Sequence, residues 1–118
     1  MRFMFMIHHD EDELHALPAD EMQELVDGAL EYSDELRRTG HYIASDALQS
    51  SPTARTIRVR GKKVSTTDGP FAETKEQLGG FFLIEAKDMD EACAMASRFP
   101  PARFGVIEVR PVQELKHS

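Results

Sequence analysis

Apolar residues fill every position from Phe3 to Ile7 and again from Phe81 to Ile84. Runs of that length, rich in aromatic and branched side chains, read as strands buried on both faces. Thr56-Ile57-Arg58-Val59-Arg60 and Val106-Ile107-Glu108-Val109-Arg110 instead alternate, which predicts strands with one wetter face. Tyr42-Ile43 could open a further strand, and Ser50-Ser51-Pro52 reads as loop. Two helical patterns separate these segments. Met22, Leu25, Val26, Ala29, Leu30, Ser33 and Leu36 recur at three- and four-residue steps on an otherwise acidic stretch. Pro18, Asp20 and Glu21 suit its start; Arg37, Arg38 and Gly40 suit its end. The second pattern opens with Asp88-x-x-Glu91, shows the small face Ala92, Met95, Ala96 and Phe99, and stops at Pro100-Pro101.

The order is βαββαβ, which predicts an α+β, ferredoxin-like fold: an antiparallel sheet with two helices on one face. The doubly apolar segments take the two central positions, expected to run parallel to each other, and the alternating segments take the edges. Two helices cover only one face of the sheet. Phe3, Phe5 and Ile7 on one side and Met4 and Met6 on the other therefore require a second cover, and a second copy packed sheet to sheet is the simplest one.

The chain of 118 residues, 41% hydrophobic, suits a single domain over 1–118. Fourteen basic against twenty-one acidic residues leave a net charge of −7, which disfavours direct binding to nucleic acid. The exception is the basic segment Arg55, Arg58, Arg60, Lys62 and Lys63, read as the charge that protects an edge strand. The single Cys93, expected to be packed and inert, and the absence of a leader or spanning segment point to a cytoplasmic protein without membrane contact. No phosphate-cradling loop, nucleophile elbow or paired metal motif occurs, so neither a cofactor nor a metal is expected.

Thr67-Asp68-Gly69-Pro70-Phe71-Ala72-Glu73-Thr74-Lys75-Glu76 is too polar for core and too specific in order for a generic loop. Asp68 is placed to accept backbone N–H groups, Phe71 to plug the loop onto the core, and Glu73 to Gln77 to form one helical turn. The run, with the following Leu78-Gly79-Gly80-Phe81-Phe82-Leu83-Ile84-Glu85, resembles the signature of the DGPF subgroup of the YCII-related family. Met1-Arg2-Phe3-Met4 and Ile107-Glu108-Val109-Arg110-Pro111-Val112 resemble that family's first and last strands. The resemblance implies a ferredoxin-like domain that dimerises through its sheets into an α/β-barrel-like assembly. One branch of the family includes a dehydrochlorinase of chlorinated hydroxyquinols, and relatives of this subgroup accompany extracytoplasmic-function sigma factors. Short members carry a histidine on the first helix and an aspartate near the end of the second; here no histidine lies on the first helix and Arg98-Phe99-Pro100 offers no aspartate, so that pair is not carried over.

Parallel central strands would put the candidate residues at two opposite ends. At one end His8 and His9 point to opposite faces, so one of them can face the inter-subunit cleft as a general acid or base. With Asp10, Glu11 and Asp12 a metal site is conceivable, but a solvated acidic loop is the simpler reading. At the other end Asp68, a candidate catalytic carboxylate, would meet Lys75, Glu76, Glu108 and Arg110 around a small polar ligand, unless these charges merely hold loop and dimer together. The function expected is binding of a small polar or aromatic molecule between two subunits, with or without lyase-like acid/base chemistry. The alternative is a non-catalytic ligand-sensing accessory of a sigma factor.

Overall fold

The computed structural model describes all 118 residues. Strand β1 (Arg2–Asp10) leads through a single-turn helix α1 (Glu11–His15) into the long helix α2 (Ala19–Arg38) and strand β2 (Tyr42–Ala47). A 3₁₀ turn at Ser51–Thr53 precedes the hairpin of β3 (Arg55–Arg60) and β4 (Lys63–Asp68). Strand β5 (Glu76–Glu85), helix α3 (Met89–Ala96), a 3₁₀ turn (Pro100–Phe104) and strand β6 (Gly105–Pro111) complete the chain. The main sheet has the order β2-β5-β1-β6, while β3 and β4 form a separate two-stranded sheet. This is the ferredoxin-like α+β architecture.

The helix ends follow their local chemistry. Asp10 caps α1 by accepting the N–H groups of Asp12 and Glu13, and Asp88 caps α3 by accepting that of Glu91. Glu91 reaches back to the Lys87 N–H, one residue earlier than a full capping box requires. Helix α2 ends where Gly40 takes φ +80°, a conformation that glycine adopts without the Cβ penalty.

One face of the sheet carries the core. Phe3, Phe5 and Ile7 point inward from β1, Phe82 and Ile84 from β5, and Tyr32, Leu36, Ala92, Met95, Ala96 and Phe99 meet them from the helices and the segment after α3. Tyr32, Phe82 and Phe99 form a triangle of edge-to-face rings with centroids 5.3–5.4 Å apart. The Tyr32 hydroxyl donates to the Met95 carbonyl at 2.6 Å, so its one polar atom is satisfied; burial pushes its pKa up to about 12.

Five expectations are corrected. The central strands β1 and β5 run antiparallel. In this topology the β1–α2–β2 crossover skips one strand and leaves β1 parallel to β2, so β5, inserted between them and antiparallel to β2, opposes both. The second edge strand is the weakly patterned Tyr42–Ala47, and the clearly alternating Arg55–Arg60 lies outside the main sheet. The segment after Asp68 forms no helical turn; β5 already begins at Glu76. Cys93 and Phe71 are exposed, the latter at 78%.

Candidate functional site

The antiparallel register places β1's last residues beside β5's first: His8 opposite Leu78, His9 opposite Gln77 and Asp10 opposite Glu76. The two ends separated in the sequence reading thus become one, where the Asp68–Lys75 loop feeds the start of β5 beside the histidine pair. Glu108 and Arg110 do not join them. They lie opposite Met6 and Met4, with Arg110 roughly 20 Å along β1 from Asp10 at the rise of an extended strand. There they form an ion pair with each other on the open face of the sheet.

At the joined end a polar cleft of about 670 Å³ is lined by Asp10, Asp12, Ser51, Asp68, Thr74 and Lys75, among others. Its walls are held by their own hydrogen bonds. Glu11 accepts from both the N–H (2.7 Å) and the hydroxyl of Ser51, which tie α1 to the turn after β2; the hydroxyl bond is the main reason its carboxyl stays below the ordinary range. The Gln77 amide donates to the carbonyls of Ala72 (2.9 Å) and Thr74 (3.1 Å), and the Gly69 N–H to that of Ala54 (2.8 Å). Gly69 sits at φ +99°, which explains a glycine at that turn. Asp68 caps no helix: its carboxylate pairs with Arg55 at 3.4 Å in solvent. No group of three or more side chains at this end or elsewhere has the arrangement of a metal site.

The two histidines separate as strand geometry requires. His8 faces the uncovered side of the sheet with Met4, Met6, Leu78, Phe81, Leu83 and Val106, and its buried Nδ1 has no hydrogen-bond partner. His9 turns under α2. Its imidazole occupies the space above Gly79, where the methyl of an alanine would overlap the ring. It lines a second, largely apolar cavity of about 440 Å³ between α2 and the sheet, with Leu14, Met22, Leu25 and Phe99. Burial, opposed chiefly by the nearby Glu11 carboxylate, lowers the His9 pKa from 6.5, so the ring is neutral at pH 7. The same cavity has a polar end: Arg37 stacks 4.1 Å over the Tyr42 ring while pairing with Asp34, and the Tyr42 and Ser45 hydroxyls bond at 2.8 Å.

The sequence reading missed this cavity because it assigned the whole α2 stripe to core. The available signal was its width. Val26 and Leu30 lie beyond what the sheet can cover, and both are exposed, Leu30 at 60%. An apolar cavity of this size with few polar groups and one perturbed base has the makings of a small-molecule site.

The family model of the YCII-related domain matches residues 1–116. The chain belongs to the YCII-related family. An uncharacterized protein of Rhizobium meliloti (strain 1021) is 43% identical over 67 residues, 55% of this chain; the chain spans about half, 54%, of that relative. Among solved structures, a 5-chloro-2-hydroxyhydroquinone dehydrochlorinase from Burkholderia phenoliruptrix AC1100, in complex with 2,5-dihydroxybenzoquinone, superimposes with a TM-score of 0.54. The match covers 100% of this chain and 96% of that one at 16% identity, and so establishes a shared fold. No helix is long and apolar enough to cross a membrane.

Proposed function

We propose that this YCII-related protein, a member of the DGPF subgroup acting in the cytoplasm as a homodimer, binds a small substituted aromatic molecule and performs acid/base, lyase-type chemistry on it. The observation that carries this reading is the cavity under α2, in which an apolar wall accepts a ring and a neutral His9 is the one perturbed titratable group. The site moves accordingly from the inter-subunit cleft into the single subunit.

In this chemistry His9 takes a proton from a ring hydroxyl. The electron pair left behind forms one carbonyl as His9 returns the proton to the ring carbon that bears the leaving group. His9 then takes the proton of a second ring hydroxyl, whose pair forms the second carbonyl and expels the leaving group with its own bonding pair, giving a quinone and the protonated leaving group's acid in sum. Arg37 supplies positive charge for a developing phenolate, and the Tyr42–Ser45 hydroxyl pair orients a ring oxygen. Asp68, Lys75 and Glu76 line or flank the separate polar cleft and act on its shape; Glu108 and Arg110 belong to the dimer face. The fold shared with a dehydrochlorinase supports the aromatic class. The test is calorimetric titration with 2,5-dihydroxybenzoquinone and with chlorinated hydroxyhydroquinones, followed by chloride release. Saturable binding lost in His9→Gln and Leu25→Asp supports the reading, and binding unchanged in both overturns it.

A second reading is favoured by one observation: no acidic partner hydrogen-bonds His9, so the acid/base pair is incomplete. Under it the protein senses the same class of ligand without turnover, as an accessory of an extracytoplasmic-function sigma factor. Binding without chloride release, together with co-purification of a sigma factor, would select it.

A further inference from the structure

The β3–β4 hairpin stands apart from the body. Its strands bond only to each other within the sheets, and its base is tied down by Thr56 Oγ1 donating to the Gly69 carbonyl at 2.9 Å and by the Arg55–Asp68 pair. The subunit measures 50 × 47 × 19 Å, with a radius of gyration of 16.4 Å against about 13.5 Å for a compact chain of this length. An isolated two-stranded sheet is marginal in water.

This hairpin also has a face that water does not suit. Val59 opposes Val64 and Ile57 opposes Thr66 in the register, which places the three aliphatic side chains on one side, each more than half exposed. Arg58 opposes Ser65 and Arg60 opposes Lys63, which makes the other side basic. The main sheet has the complementary deficit. Met4, Met6, Phe81 and Leu83 are half-buried on the face that no helix covers.

We infer that the β3–β4 arm docks its Ile57–Val59–Val64 face on the uncovered sheet face of a second copy of this chain. Charge selects that occupant. Five basic residues and one acid between Arg55 and Asp68 leave the arm at +4 in a chain of −7, so the remainder of each copy carries −11. A second copy therefore offers both an apolar face and an opposite charge, and symmetry lets two arms engage at once. Docking also removes the exposed stripe that would otherwise invite aggregation. The inference rests on the homodimer and adds the arm to what would be a sheet-to-sheet contact.

Light scattering and sedimentation on the full chain test it, comparing wild type with Val59→Asp/Val64→Asp on the arm and Met6→Asp on the sheet. The arm positions are solvent-exposed within the subunit, so circular dichroism should be unchanged. Val59→Lys serves as a second arm variant with the opposite charge. The expected result is a wild-type dimer whose affinity falls at least about tenfold in all three variants and weakens with salt. A dimer unchanged in both arm variants but lost in Met6→Asp overturns the arm contact and leaves a dimer through the sheets alone. A wild-type monomer at micromolar concentration overturns both. Binding of the wild type to a DNA duplex, lost in the arm variants while the dimer persists, reassigns the arm to nucleic acid and also overturns the inference.

Discussion

The two faces of the main sheet are made of alternate residues on the same strands, yet they have different fates. On the helix side Phe3 and Phe5 are fully buried, and the neighbouring His9 is pressed under α2 among aliphatic side chains. On the other side Met4, Met6 and His8 are only half-buried, with no helix over them. A single step along β1 thus moves a histidine from an apolar cavity, where burial lowers its pKa, to a face that no helix covers. Adjacent identical residues therefore take different chemistry from their side of the pleat.

The harshest way to break this comparison is to remove one inward and one outward side chain. Phe5→Ala should cost roughly 3–5 kcal/mol, because it opens a cavity beneath the aromatic triangle. Met6→Ala should cost much less at concentrations where the chain is monomeric, and more as a dimer forms. Urea unfolding at two protein concentrations reads both effects. A Met6→Ala loss equal to that of Phe5→Ala, independent of concentration, would mean that the outer face is already packed within one subunit.

The next test separates the histidines. His9→Gln should lower turnover or binding in the cavity by roughly 10²–10⁴-fold in rate if His9 is the base. His8→Gln should leave both within about twofold and change only dimer stability. Gly79→Ala sharpens the point, since the added methyl takes the space the His9 ring occupies while φ at Gly79 places no demand on glycine. Ligand binding should fall while the far-UV spectrum stays native. Unaltered binding in Gly79→Ala would show that the observed His9 position is not needed.

Much of this division was legible in the chain. Five consecutive apolar residues from Phe3 announced a strand needing cover on both sides, and the α2 and α3 patterns supplied cover for one. The relative direction of β1 and β5 was misread, because apolarity marks a central strand but carries no direction; only the crossover topology decides that. Likewise, the alternation at Ile57 and Val59 correctly signalled a one-faced strand but not that it lies outside the main sheet. Tyr42–Ala47, an edge strand with few apolar positions, carried little periodicity to find.

A gentler probe is pH. The folded pKa of His9 lies below its ordinary value of 6.5, so the unfolded chain binds the proton more readily. Stability from the neutral ring is complete above that value and is lost as pH falls through it towards the folded pKa. Cavity binding of the aromatic probe should weaken over the same interval, by less than about tenfold, and the slope should vanish in His9→Gln. A slope that persists unchanged in His9→Gln would show that His9 does not carry the pH dependence.

The smallest effects are expected in the Asp68 loop, and their smallness is what makes them informative. The sequence suggested a capping carboxylate and a buried aromatic plug, which would make Asp68→Ala costly and Phe71→Ala costlier still. In the subunit Asp68 meets only Arg55, both are well exposed, and such pairs contribute at most about 1 kcal/mol. Phe71 is 78% exposed, with only the Arg58 guanidinium 5.9 Å over its ring. Asp68→Asn, Asp68→Ala and Phe71→Ala should therefore each change stability by less than about 1 kcal/mol, a shift in Tm of no more than about 4–8 °C, in a dilute monomeric sample. If Phe71→Ala instead lowers Tm as much as a core truncation, and only at concentrations where dimers form, then Phe71 is buried by the second copy and the arm interface extends into this loop. If the loss is the same at every concentration, Phe71 packs within its own subunit after all, and the division between a covered and an uncovered region must be redrawn there.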